Sequence, residues 1–318
     1  MDRKLVIYIP AYNEEDNIGK VIKNLPRHIN GISEIQIFVV DDGSTDKTAE
    51  VARSNGAIVV LHHINRGVGA AFHSAVHQAL KMNADILVSI DADGQFDPND
   101  IPKIIKPILE NKADFVTGNR FKNGRPKQMP WIKYWGNKRM ARLISHITGK
   151  KMRDAACGFR AYNHEALLNL NLLGKFTYTQ EAILDLIYKG FRVTEVPVEV
   201  KYFDKRKSRV AGSVITYALR SSNIILKSYR DYQPLRFFGY GGIIIFLIGL
   251  GFDIFVFIHF LKTGNFSPYK AFGFLGGLLN MIGFLTFIVG LLADMLDRVR
   301  INQEKLLYYE KKREYEKE

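Results

Sequence analysis

Residues 271–293 are apolar and uncharged, and as a helix rising 1.5 Å per residue they reach about 34 Å, enough to cross a bilayer with some tilt. A second apolar stretch, 237–261, precedes them; it contains Asp253 and ends near His259 and Lys262. A lone carboxylate in hydrocarbon costs about 2.5–3.5 kcal/mol on insertion scales, so Asp253 is expected to face protein or an interface. The pair predicts a transmembrane hairpin over 235–296, too few helices for a transport pathway within one protomer. Small residues recur in both stretches: Gly242, Gly249 and Gly251, then Gly273, Gly277, Gly283 and Gly290. Gly273 and Gly277 form a GxxxG pair, which suits close packing either within the hairpin or between copies in a homo-oligomer.

The formal charge of +13 is unevenly placed. Lys and Arg crowd the segment between Lys201 and Arg236 and the tail after the second stretch, whereas the loop between the stretches has only Lys262 and Lys270. Short Lys/Arg-rich segments stay cytoplasmic, so the N-terminal region and both termini are expected there, in an integral membrane protein with two spans. Because the charge borders apolar spans, membrane lipids with anionic headgroups are the expected partners, and nucleic acid is not. The one cysteine, Cys157, forms no intramolecular disulfide, which suits a reducing compartment. The chain opens on the apolar run LVIYIP with no signal-peptide pattern. Between 206 and 234 a basic loop leads into a helical pattern. Val214, Ile215, Ala218, Leu219, Ile225, Leu226 and Tyr229 line one face of it. This reads as an amphipathic helix in the membrane interface, the other reading being a surface helix packed on the soluble domain. Residues 297–318 read as a basic cytoplasmic tail.

The first 205 residues have a different pattern. LVIYIP, IQIFVV, AIVVL, DILVSI and DFVTG are short apolar runs, and helical stretches lie between several of them, at 17–25, 47–54, 69–82 and 98–110. Such alternation predicts an α/β domain with a buried, mostly parallel sheet, Rossmann-like in build. Ligands of these sheets bind beyond the carboxyl ends of the strands. Two acidic clusters fall at such ends, VVDDGSTD at 39–46 and DADGQ at 91–95. Side chains at i and i+2 project together from an extended strand, so Asp91 and Asp93 can converge, with Gln95 beside them. Hard oxygen ligands of this kind suit Mg²⁺ or Mn²⁺ held with substrate phosphates. The residue-level alternative is a turn at Tyr12 and Asn13, with Asp42 or Asp46 as helix caps.

Five motifs occur in order over residues 5–200: AYNEE (11–15), DDGSTD (41–46), NRGVGAA (65–71), DADGQFDP (91–98), and TGNRF (117–121) with DAACGFRAY (154–162). Through them the chain resembles the family 2 glycosyltransferases of GT-A fold, and within these the polyprenyl-phosphate branch that includes dolichol-phosphate mannose synthase. The resemblance implies that Pro10, Ala11, Tyr12 and Glu14 line a nucleotide site. Asp41 or Asp42 would read the base or ribose, and Asp91, Asp93 and Gln95 would hold the metal on the donor diphosphate. It places Arg120 as an acceptor-phosphate clamp, with Arg139 as a second candidate. Arg160 is left between binding phosphate and bracing its loop, and Glu181 between an acid near the acceptor and a helix-N-terminal role. KRKSRVAGS (205–213) resembles the family's acceptor loop through Arg209, Gly212 and Ser213 but has Val214 where lysine is common, so Arg206, Lys207 and Arg209 are its candidate cations.

The expected activity is inverting transfer of a hexose from a UDP- or GDP-linked donor to an undecaprenyl or dolichyl phosphate at the cytoplasmic membrane face. Asp93, Arg120, Arg139 and Glu181 are the candidate catalytic residues, and Arg120, Arg139, Arg206, Arg209 and Ser213 the acceptor-phosphate residues. A neutral lipid acceptor would need a general base, and a non-catalytic tethered scaffold would not need the intact Asp42, Asp91 and Asp93. No QxxRW motif follows, which argues against a processive synthase.

Overall fold

The computed structural model describes residues 3–172, 178–202 and 214–316, the side chains of 214–221 and 224 excepted. Two compact units emerge: Met1–Ile225 with Leu307–Glu318, and Leu226–Leu306.

In the first unit the five apolar runs are strands β1 (Lys4–Ala11), β2 (Glu34–Asp41), β3 (Ile58–Leu61), β4 (Ile86–Ser89) and β5 (Phe115–Asn119). The predicted helices appear as α1 (Glu15–Asn24), α2 (Thr48–Ser54), α3 (Val68–Lys81) and α4 (Ile101–Leu109), followed by α5 (Trp131–Thr148). Two short strands not read from the sequence, β6 (Arg160–Asn163) and β7 (Val193–Pro197), complete the sheet in the order β3-β2-β1-β4-β6-β5-β7. Only β6 runs against its neighbours, so the sheet is mostly parallel. Alternate side chains of β1 enter opposite layers. Leu5, Ile7 and Ile9 pack with α1 and α4. Val6 and Tyr8 pack with α3, α5 and the later helices α6 (His164–Asn169) and α7 (Thr179–Tyr188). All five are fully buried, and the four aliphatic ones contribute about 1.5–3 kcal/mol each as apolar side chains removed from water.

Two later segments also join this unit. α8 (Val214–Tyr232) buries Ile225 in the α3/α7 cluster, so at that point the helix packs on the domain, while neighbouring Leu226 is exposed. The final turns of α10 (Lys270–Tyr315) pack against α6: the Tyr308 hydroxyl donates to Glu165 (3.2 Å), and the Lys311 ammonium donates to Leu168 O (3.3 Å), Leu170 O (2.8 Å) and Asn171 Oδ1 (3.0 Å). Lys311 thus supplies donors where the carbonyls at the end of α6 lose their helical partners.

The second unit is built from α9 (Pro234–Thr263) and the first part of α10, with mean hydropathy of 2.5 and 2.1 over their most apolar windows and little of those windows buried. Such exposure suits lipid-facing helices and not core helices of a soluble protein. The helices run antiparallel, with Gly242 against Gly283 and Gly249 against Gly276. A Cβ on Gly249 would sit 2.7 Å from Gly276 O, and one on Gly283 would sit 2.6 Å from Phe246 N. The seam therefore uses glycines seven residues apart. The GxxxG pair does not form it: Gly277 has nothing within 4 Å of an added Cβ, and Gly273 meets only Val256 at 3.7 Å. Asp253 faces protein as expected, accepting a hydrogen bond from Asn280 Nδ2 at 2.6 Å.

Candidate active site

Strands β2, β1 and β4 are parallel neighbours, so the loops after them leave the same edge of the sheet. The first two loops are stitched together. Asn13, at φ +53°, donates its N–H to Ser44 Oγ (2.9 Å) and accepts from Thr45 N (2.8 Å), and Glu14 N donates to Thr48 Oγ1 (2.7 Å). Asp46 accepts from Thr48 N at 3.0 Å at the start of α2, and Asp41 Oδ1 accepts from Ser44 N at 2.9 Å. Asp42 is wholly engaged: Oδ2 accepts from Gly67 N (2.7 Å), and Oδ1 accepts from Arg66 N (3.0 Å) and lies 2.6 Å from His62 Nδ1. His62 Nε2 meets Ser74 Oγ at 2.8 Å. Asp42 is thus the bracket that sets the NRGVGAA loop, and nothing in the sequence pattern singled out His62 as its partner. Gly43 is required there, since at φ +75° a Cβ would lie 2.6 Å from the Ile64 carbonyl carbon. Pro10 and Ala11 end β1, and Tyr12 and Glu14 follow on the same edge.

The DADGQ segment begins where β4 stops at Ser89. Asp93 lies in a turn and not on extended strand: its Oδ1 accepts from Gln95 N at 3.0 Å, and Gly94 turns at φ +69°. Burial, reinforced by Asp93, pushes the Asp91 carboxyl up to about 7, while Arg120 and Arg160 pull it down and Glu14 raises it further. A Cβ on Gly158 would sit 2.9 Å from both Asp91 oxygens, so this glycine makes the space for the carboxylate. Two adjacent carboxylates that resist joint ionisation are a place for a divalent cation. Among the described residues no cluster of three His, Cys, Asp or Glu exists, so Mg²⁺ or Mn²⁺ would take Asp91, Asp93 and substrate phosphates. The residues fit such an ion. The Gln95 carbonyl accepts from Lys201 N at 2.9 Å, which ties the end of the turn to the segment after β7.

TGNRF and DAACGFRAY prove to be one unit. Arg120 Nε and Nη2 donate to Asp154 Oδ2 (2.7 Å) and Oδ1 (2.8 Å), a buried fork-to-carboxylate pair, and Nη1 reaches the Tyr202 hydroxyl at 3.4 Å. Glu195 Oε1 accepts from both Arg153 N and Asp154 N at 2.8 Å, holding the loop that carries Asp154. Arg160 is fully buried and donates to three backbone carbonyls: Nε to Cys157 O (2.7 Å), Nη1 to Thr179 O (2.7 Å) and Nη2 to Ala155 O (3.4 Å). It braces the loop. Burial pushes the Cys157 thiol up to about 12, which leaves it inert.

On α5 the buried residues Asn137, Ala141 and Ile144 define the inner face. Lys133 lies one turn before Asn137 on that face, and Arg139 lies on the other. Arg139 is exposed with its guanidinium 4.8 Å above the Trp135 ring. Lys133 is the inward cation: burial lowers its pKa, Arg120 lowers it further, and Asp93 opposes both. The sequence reading passed over Lys133, although its spacing from Asn137 and Ala141 carried the signal. Glu181 sits in the first turn of α7, where the positive end of the helix favours an acid. Arg206, Lys207, Arg209 and Ser213 lie outside the described residues.

The sequence profile of the Glycosyl transferase family 2 matches residues 6–170. A UDP-N-acetylglucosamine–dolichyl-phosphate N-acetylglucosaminyltransferase of Methanococcus voltae is 31% identical over 71% of this chain and 97% of its own length. A polyprenol monophosphomannose synthase of Mycolicibacterium smegmatis is 26% identical over 68% of this chain and 84% of its own. Among solved structures, glucosyl-3-phosphoglycerate synthase of Mycobacterium tuberculosis, crystallised with Mn²⁺, UDP and glucosyl-3-phosphoglycerate, superposes with a TM-score of 0.54 at 19% identity, covering 72% of this chain and 80% of that one. That likeness establishes the GT-A architecture of the sheet and its flanking helices. With the profile spanning the strands and loops that build the site, the chain belongs to glycosyl transferase family 2.

Proposed function

We propose that the chain transfers a hexose from a nucleotide-sugar donor to a polyprenyl phosphate at the cytoplasmic face of a membrane, with inversion at the sugar C1. The observation that carries this reading is that one sheet edge sets Asp91 and Asp93 against the cations Arg120 and Lys133. Carboxylates suit the metal–diphosphate half of a nucleotide sugar, and cations suit a phosphate acceptor. The names of the Methanococcus voltae and Mycolicibacterium smegmatis relatives point to the same acceptor class, and two apolar helices suit a chain that meets its acceptor in a bilayer.

Bound at Asp91 and Asp93, Mg²⁺ or Mn²⁺ would stabilise the departing nucleotide diphosphate. The chain's own contribution is positioning. Pro10, Ala11, Tyr12, Glu14 and Asp41 line the nucleotide side, and Asp42 holds the loop that faces them. Lys133 gains from an arriving phosphate, because a dianion offsets the burial and the Arg120 charge that disfavour its own. Arg120 is committed to Asp154, so it supplies a fixed positive potential and Nη1, not a mobile fork. Arg206, Arg209 and Ser213 complete the acceptor side in this reading, with Glu181 nearby. A lipid monophosphate, with a second pKa of about 6, is already mostly dianionic and attacks C1 without a general base.

The test is transfer by the detergent-purified full chain with Mg²⁺. Radiolabelled GDP-mannose, UDP-glucose and UDP-N-acetylglucosamine are offered separately with a polyprenyl phosphate. Label entering an organic-extractable, mild-acid-labile lipid with one donor establishes the reaction and names the sugar. Nucleotide binding without any lipid product overturns the acceptor assignment.

A further inference from the structure

The outward face of α5 gathers four large apolar side chains, both tryptophans among them. Trp131 is 62% exposed, Ile132 54%, Trp135 46% and Leu143 38%. At 100° per residue these four share one arc with Lys138, Arg139 and Arg142, all exposed, while Asn137, Ala141 and Ile144 point the other way. The two indoles stack with centroids 6.4 Å apart, and Arg139 lies over the second. The surrounding charge has one sign: residues 115–153 carry eleven Lys or Arg and no Asp or Glu. Large apolar groups are rarely left in water beside cations unless something covers them. Interfacial helices combine tryptophans at headgroup depth with Lys and Arg toward anionic lipid.

We infer that the α5 face is a membrane-docking surface that seats the catalytic unit on an anionic bilayer, with Trp131 and Trp135 entering the headgroup layer. The charge selects the occupant: a helix and flanking segments that carry Lys and Arg but no Asp or Glu complement phosphate headgroups. The consequence is local, since Lys133 projects from the opposite side of the same helix. Docking α5 fixes that ammonium one helix diameter, ~10 Å, above the headgroup layer that the tryptophans enter, where an acceptor phosphate raised from the bilayer would meet it. The inference rests on the membrane reading of α9 and α10, and it stands or falls independently of which sugar or lipid is used.

The chain offers a direct probe, because Trp131 and Trp135 are its only tryptophans. The full chain is placed in phosphatidylcholine nanodiscs, with and without phosphatidylglycerol, and the emission is quenched in turn by lipids brominated on the acyl chains and by aqueous iodide. The expected result is strong quenching by bromine, weak quenching by iodide, and deeper bromine quenching in the anionic discs. In Lys138→Gln/Arg139→Gln/Arg142→Gln the gain from anionic lipid disappears. Strong iodide quenching without bromine quenching overturns the inference by leaving the face in water. Shielding from both quenchers also overturns it, because protein then covers the face. Neither result touches the transfer assay, so failure here is separable from failure of the proposed reaction.

Discussion

Replacing Asp91 by Asn should abolish transfer and make the metal-free protein more stable. The Asp91 carboxyl sits at about 7 in the fold, against 3.8 for the ordinary side chain, because it is buried beside Asp93. A raised carboxyl leaves stability intact below the unfolded pKa and removes it as pH climbs toward the folded one. The loss therefore accumulates between roughly pH 4 and 7 and is complete above. Roughly three pKa units at 1.36 kcal/mol each set an upper bound of about 4 kcal/mol. If water reaching the carboxylate returns half, about 2 kcal/mol remains, or about 4–8 °C in Tm for a domain of this size. The assay is a circular-dichroism melt of both proteins in detergent at pH 5 and pH 8.5. The variant should melt higher at pH 8.5 with a smaller gap at pH 5, and added Mn²⁺ with a nucleoside diphosphate should raise only the wild type. A variant that melts at or below wild type at pH 8.5, or a gap that ignores pH, refutes the reasoning.

Gly158→Ala puts a methyl 2.9 Å from both Asp91 oxygens, and an effect of the size seen for residues that orient metal ligands, about 10–100-fold, is expected on the Mn²⁺ concentration giving half-maximal activity. Lys133→Ala should raise KM for the polyprenyl phosphate about 10–100-fold, the worth of one charged hydrogen bond, with the donor KM little changed; equal loss for both substrates would remove Lys133 from the acceptor side. In the hairpin, Gly249→Val meets Gly276 O and should cost at least about 1–3 kcal/mol in an SDS-titration unfolding assay, whereas Gly277→Val is tolerated. Lys311→Met should lower the melting temperature of the α/β unit, since a charged hydrogen bond at the end of α6 contributes about 1.5–3 kcal/mol; an unchanged melt means water replaces the ammonium.

The parts legible from sequence were those where burial writes a pattern. β1, β2, β4 and β5 are apolar runs because helices cover both faces, β3 is an apolar edge strand with Ile58 and Leu61 exposed, and the lipid-length stretches were equally plain. β6 and β7 escaped for physical reasons. RAYN begins with a buried arginine whose N–H groups reach three backbone carbonyls, and VTEVP is a half-buried edge strand with a polar centre. The acidic motifs were found, but the tasks of their neighbours were not. Asp154 and Arg120 stand 34 positions apart, and only the fold reveals that one engages the other. Helix phase separates Lys133 from Arg139, and choosing the arginine for its chemistry ignored the inner face. The hairpin seam follows a seven-residue repeat, which a search for GxxxG overlooks.

Because residues 307–316 return to α6, the membrane hairpin is an insertion within the α/β domain and not an appendage after it. A ribosome adding about 5–20 residues each second completes β7 and then must deliver residues 226–306 before the last helical turns emerge. The soluble domain is thus finished only after its anchor has been made. A chain interrupted anywhere in the hairpin carries the α/β sheet without the lysine that closes α6, and the order of synthesis itself favours assembly at the bilayer over assembly in solution.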